Sequence, residues 1–217
     1  GVGGGGERDR QPGGILGRRV AGMTWAQGDA GQDTQLPIFL VVGGPAVGKS
    51  TTSRALAQRF PKSVHIPVDD LRGMVVSGLA QPGAVWSPSL VEQLVTARQN
   101  ATHMALAYRQ AGFAVVIDDF WDPNSQLSEY APLFSQPEVH KVLLHPQQQT
   151  AHQRNLERNG AGITQQYLDE GIRLTYQSLE SVLPELVRHG WLVLDTTEGG
   201  VEQTVERILE RLSVARE

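Results

Sequence analysis

Apolar and polar positions along this chain follow two rhythms. Five short runs are apolar or nearly so: IFLVV (38–42), SVHIPV (63–68), FAVVI (113–117), VHKVLLH (139–145) and WLVLD (191–195). Runs of this length, rich in β-branched residues, predict strands buried on both faces. The stretches between them have helical spacing. Residues 49–60 read as a helix ended by Pro61. Residues 87–112 read as a long helix, capped by Ser87 or Ser89 and closed by Gly112. Leu90, Leu94, Ala97, Ala101, Ala105 and Tyr108 fall on or near one of its faces. Further helices are predicted over 147–158 and 164–188, with an amphipathic one, GVEQTVERILERLSVA, at the end. Strands alternating with helices predict an α/β fold: a three-layer sandwich whose five-stranded, mainly parallel sheet has helices on both faces.

Residues 1–35 break this pattern. GVGGGGERDR and the segment after it hold too little apolar surface to offset the entropy of ordering. A flexible tail over 1–35 and a single folded domain over 36–217 are therefore expected. Met23 is a candidate natural start, which would make the residues before it an artefact.

Composition narrows the chemistry. The chain has no cysteine, so it has no thiolate nucleophile, disulfide framework or cysteine-bound zinc. A formal net charge of −4 offers no broad attraction to nucleic acid or to an anionic membrane. No apolar run approaches the roughly 20 residues that cross a bilayer. A hydrophobic segment does not follow the charged N-terminal residues, so a secretory signal is not expected and a cytoplasmic location is.

The chain has three lysines, and one of them stands in VVGGPAVGKST (41–51). Gly43-x-x-x-x-Gly48-Lys49-Ser50 is a phosphate-binding loop pattern, and it lies between a predicted strand and a predicted helix. Glycines let the chain curl so that successive backbone N–H groups point inward. Those donors and the start of the following helix make an anion site. Gly43, Gly44, Pro45, Ala46, Val47, Gly48, Lys49, Ser50 and Thr51 are thus expected to cradle a nucleotide's phosphates. Lys49 would reach the β- and γ-phosphates, and the Ser50 hydroxyl would ligate Mg²⁺.

Carboxylates and arginines follow. AVVIDD ends a strand in Asp118, the candidate Mg²⁺ carboxylate, with Asp119 the alternative. HIPVDDLR puts Asp69 and Asp70 just beyond the second strand, where ligands of open α/β sheets bind. Asp69, with Asp70 the alternative, is the candidate general base for an attacking hydroxyl. A helix N-cap is the competing role for either residue. Arg72 is a candidate for holding the acceptor or a phosphate. Arg154 and Arg158, four apart, share one helix face. Trp86 and Trp121 are read as packing residues before stacking platforms. The six histidines lack zinc spacing and are read as surface or satisfied core groups.

The succession GGPAVGKST, VDDLR, VVIDD, RNLER, VLDTT resembles the small P-loop kinases related to nucleoside-monophosphate, gluconate and shikimate kinases. It is most similar to chloramphenicol phosphotransferase in VDDL and VVIDD, and to the kinase domain of polynucleotide 5′-hydroxyl kinase in DDLR. The resemblance spans about residues 37–213. It implies a P-loop fold, with ATP and Mg²⁺ as cofactors, Asp69 as base and Arg72 on acceptor or phosphate. It also implies a lid bearing Arg154 and Arg158, and adenine near Asp195-Thr196-Thr197, with Thr196 a contact. It puts the acceptor beside the long helix, where Arg98 and His103 are weak candidates for contacting it. NKxD, LSGGQ and HRD motifs are absent, which argues against a GTPase, a transporter ATPase and a protein kinase. The expected activity is transfer of the γ-phosphate of ATP to a hydroxyl of a small-molecule acceptor, by a monomer or homodimer. The alternatives are a polynucleotide 5′-hydroxyl kinase, disfavoured by the acidic balance, and an ATP-hydrolysing switch without an acceptor.

Overall fold

The computed structural model describes residue 1 and residues 36–82 and 86–211. The chain divides into two units, Gly1–Thr34 and Gln35–Glu217, and the architecture below belongs to the second. The tail expected over 1–35, including Met23, lies outside the described residues apart from Gly1.

Ile38–Gly43 forms β1, every residue of it buried. It can be apolar throughout because it is central: the sheet order is β2-β3-β1-β4-β5, with every pairing parallel. The other strands are β2 (Ser63–Pro67), β3 (Ala114–Phe120), β4 (Val139–Leu144) and β5 (Trp191–Leu194). Around them lie α1 (Lys49–Ala57), α2 (Val68–Gly73), α3 (Pro88–Gln110), α4 (Ala131–Phe134), α5 (Gln148–Asn159), α6 (Ile163–Arg188) and α7 (Val201–Arg211). A 3₁₀ turn at Ser128–Tyr130 precedes α4.

Strand side chains alternate between faces, and this splits the core in two. Ile38, Leu40, Val42, Val115 and Ile117 pack with Ala97, Ala101 and Ala105 of α3 and with Tyr130 and Leu133. Phe39, Val41 and Val116 pack on the other face with Leu56 of α1 and with Val205, Ile208 and Leu209 of α7. The chain leaves β1 over the α1 face and leaves β3 over the α3 face. Such divergence opens a crevice at the carboxyl edge of a parallel sheet.

The α3 signals act as the sequence predicts. Ser87 is the N-cap, its side chain accepting from the Leu90 N–H at 3.1 Å, and Pro88 opens the helix. Tyr108 departs from the apolar face: it is exposed, edge-on to Phe113. Three of the departures from expectation stand out. The first helix closes at Ala57 rather than at residue 60. The second strand ends at Pro67, and Val68 already belongs to α2. The third strand runs on to Phe120, because Asp118 and Asp119 continue the ladder opposite Val41 and Val42. No described helix is long and apolar enough to cross a membrane.

Candidate active site

The loop from Gly43 to Gly48 is shaped by what it excludes. A Cβ on Gly43 would lie 2.6 Å from the Leu144 carbonyl oxygen and 2.7 Å from Val47 Cγ2, so no side chain fits. Gly48 has φ 93°, in the left-handed region that glycine enters freely, and Ala46 also has φ 59°. Val47 is buried in the α1-side core and pins the loop from below. Pro45 meets Gly171 of α6, where an added Cβ would sit 3.3 Å from Pro45 Cγ. The loop is thus clamped between the sheet and α6.

Lys49, the first residue of α1, folds back to donate from Nζ to the Gly44 carbonyl at 2.8 Å. Lys49 is half-buried, with its ammonium held against the loop backbone. Burial accordingly pulls its pKa below the ordinary value, and Arg158 acts in the same direction. Asp69, Asp118 and Asp119 oppose the shift, Asp69 most strongly among them. Carboxylates from two neighbouring strand ends therefore surround the one lysine of the loop. Ser50 and Thr51 follow it, exposed at the start of α1.

Ser50 Oγ donates to Asp118 Oδ1 at 3.3 Å. Both side chains offer hard oxygen, the donor type Mg²⁺ prefers, so the pair fits that ion. Asp119 is differently engaged. Its Oδ2 accepts from Arg98 Nε at 2.7 Å and from the Tyr130 hydroxyl at 3.0 Å, and its Oδ1 accepts from the Phe120 N–H at 2.8 Å. Arg98 Nη1 also donates to Asp122 at 2.7 Å and to Glu129 at 2.9 Å. Arg98 is completely buried. The weak expectation that it meets the acceptor is therefore corrected: position 98 turns inward beside Leu94, Ala97 and Ala101, and its guanidinium balances core carboxylates. The neighbouring carboxylates drive its pKa further above the usual arginine value, against desolvation.

Asp69 and Asp70 lie exposed in the first turn of α2. Neither caps it, because Pro67 occupies the N-cap. Arg72, on the same helix, donates from Nη1 to the Ala80 carbonyl at 2.8 Å and lies close enough to Tyr167 of α6 to influence its hydroxyl. Arg154 and Arg158 both project from α5, but to different ends of the site. Arg154 donates to the Thr196 carbonyl at 2.8 Å, in the loop between β5 and α7, whereas Arg158 is exposed and acts on Lys49. Thr196 is buried, and its Oγ1 has no hydrogen-bond partner. An open groove of about 410 Å³ runs beside this loop, lined by Gln149, Thr150, Gln153, Arg154, Glu157 and Thr197.

His103 is exposed on α3. Trp121 is fully buried, edge-on to Trp191, and Trp86 packs against Phe120. His65, read from sequence as a surface or satisfied core group, touches the site: its Nε2 is hydrogen-bonded to Asp118 Oδ2. The available signal was strand alternation. Val64 and Ile66 pack on the α3 face, which turns His65 to the opposite one.

The family model described as "AAA domain" matches residues 38–178, more than half the chain. This chain belongs to the AAA domain family. No curated protein sequence matches it. Among solved structures it is similar to a sugar kinase from Janibacter sp. HTCC2649 (TM-score 0.62, 18% identity, 83% of this chain and 96% of that one). It is similar also to a tunicamycin resistance protein from Deinococcus radiodurans (0.56, 18%, 83% and 97%). A gluconokinase from Sinorhizobium meliloti 1021 is a third (0.57, 16%, 82% and 93%). At these identities the likeness establishes the fold. This AAA domain thus has the P-loop α/β architecture expected from its resemblance to small P-loop kinases.

Proposed function

We propose that the chain is an ATP- and Mg²⁺-dependent phosphotransferase that moves the γ-phosphoryl group to a hydroxyl of a small-molecule acceptor. One observation carries this reading: the first turn of α2, just beyond β2, presents an exposed carboxylate, Asp69, within electrostatic reach of the loop lysine and beside the Ser50–Asp118 pair. An acceptor kinase needs such a group beside the transferring phosphoryl, and a nucleotide switch does not.

In this reading the loop amides and Lys49 hold the β- and γ-phosphates. Lys49 exchanges its bond to the Gly44 carbonyl for phosphate oxygen. Ser50 and Asp118 hold the metal, which when bound supplies positive charge against the phosphate oxygens. The groove beside Arg154 and Thr197 takes the nucleoside end, and the buried Thr196 holds its wall through its carbonyl bond to Arg154. Asp69 accepts the proton of the acceptor hydroxyl as its oxygen bonds to the γ-phosphorus. The bond from that phosphorus to the bridging oxygen breaks, and ADP leaves with the electron pair. Arg158 supplies positive charge opposite Lys49, and Arg72 orients the acceptor. Positioning and electrostatics account for most of the rate.

The test is ADP release by the full chain with and without pooled hydroxyl-bearing metabolites, followed by mass spectrometry for a phosphorylated product. An acceptor that stimulates turnover supports the reading; slow hydrolysis indifferent to every pool favours a switch. Asp69→Asn should bind ATP normally and lose transfer by roughly 10²–10⁴-fold, the worth of a general base.

A further inference from the structure

We propose that His65 is a positioning residue for the metal site: it holds one oxygen of Asp118 so that the other stays directed at Ser50. This inference rests on reading Ser50 and Asp118 as the Mg²⁺ pair.

The strand ladder explains how His65 gets there. In the parallel pairing of β2 with β3, His65 stands opposite Val116 and Pro67 opposite Asp118. His65 and Asp118 therefore share the sheet face covered by α1, two positions apart along adjacent strands. An imidazole is long enough to lean forward over that step, and its Nε2 meets Asp118 Oδ2. The other carboxylate oxygen, Oδ1, accepts from Ser50 Oγ.

The two contacts differ in kind. The Ser50 bond, at 3.3 Å, is long for a hydroxyl donor, whose usual reach to oxygen is about 2.7–2.8 Å. A bond this long is given up at little cost, which would leave both oxygens available to hold Mg²⁺. The ring N–H contact comes from a side chain only 14% exposed, based on the strand next to the one that bears Asp118. Asp118, only 5% exposed, is thus fixed by one oxygen and open at the other. Partners of this kind orient a metal ligand before the metal arrives, and removing them costs typically 10–100-fold in metal affinity.

The experiment uses the full chain, Mn²⁺ as a paramagnetic stand-in for Mg²⁺, and a non-hydrolysable ATP analogue. Electron paramagnetic resonance reports free Mn²⁺ directly, without any need for turnover. His65→Ala should weaken Mn²⁺ binding by about tenfold or more. His65→Gln, whose amide places an N–H near the imidazole Nε2 position, should recover most of that loss. Affinity for the analogue in the presence of a chelator should stay at the wild-type level for both variants. Added to Asp118→Asn, His65→Ala should weaken Mn²⁺ no further, because its effect passes through that carboxylate. Equal losses in the Ala and Gln variants, no loss in either, or a parallel loss of metal-free nucleotide binding would overturn the proposal. A wild-type chain that binds no Mn²⁺ with the analogue would instead overturn the functional reading of the site, and this inference with it.

Discussion

Asp118 and Asp119 are neighbours in one strand, both nearly buried at 5% and 3% exposure, and they have opposite fates. Alternation turns Asp118 to the α1 face, where Ser50 and His65 meet it. It turns Asp119 to the α3 face, where Arg98, Tyr130 and the Phe120 N–H fill its oxygens. One carboxylate keeps a weakly held lone pair at the edge of the phosphate loop. The other is saturated inside a cluster of one arginine and three acids. On the proposed reading, the DD pair sets a metal-binding carboxylate beside one that belongs to the core. Residue type cannot separate them; the face can.

Lys49 opens α1 beside Ser50 and Asp118, so removing it tests the α1 face. Lys49→Ala should lower turnover by on the order of a thousandfold or more, the upper range for one preorganised donor. Undiminished activity would detach the loop from catalysis. Asp118→Asn should follow, with turnover down roughly a hundredfold, as expected for a damaged metal site. Its urea midpoint should hardly move. Asp119→Ala should do the reverse above neutral pH: about 3 kcal/mol of stability lost, because a buried pair is broken and Arg98 is left undercompensated. If the stability loss fell on Asp118 and the activity loss on Asp119, the assignment of the faces would be inverted.

Sequence alone reveals one side of this contrast better than the other. Gly43, Gly48, Lys49 and Ser50 form a pattern whose spacing carries its own mechanism, and the apolar run before it marks a central strand. Ser87-Pro88 and the Leu and Ala spacing likewise reveal α3. Asp118 beside Asp119 remains an open choice in the sequence, because it turns on where β3 ends and what covers each face. The apolar run stops at Ile117, yet the strand continues, since paired carboxylates extend the ladder as well as apolar residues do. His65 is hidden for a related reason: its partner is set by the register between β2 and β3, a long-range fact. Arg98 looks like a polar position on a helix, and only three convergent acids make it a core residue. The six residues of α2 are too few for helical periodicity to show.

The smallest effect concerns proton binding. Burial pushes Asp119 up to about 6 from an ordinary 3.8, against the pull of Arg98. One guanidinium shared among Asp119, Asp122 and Glu129 leaves an excess of negative charge, and the most enclosed acid is the one to keep a proton. Because the folded pKa is raised, the folded chain holds a proton that the unfolded chain has released. The resulting stabilisation is complete below about 3.8 and is lost as pH rises through about 6. Asp169 works the other way: hydrogen bonds from His152 and Asn155 lower its pKa, so its contribution is present above its ordinary pKa and fades on acidification. Raw stability curves therefore mix two slopes of opposite sign. Subtracting the Asp119→Asn curve from that of the wild type removes the Asp169 part and leaves Asp119 alone. The difference in unfolding free energy should fall between about pH 4 and pH 6 and run flat above. A difference that is flat throughout would mean that Arg98 keeps Asp119 ionised across the range, and the α3 face would then hold a fully charged network.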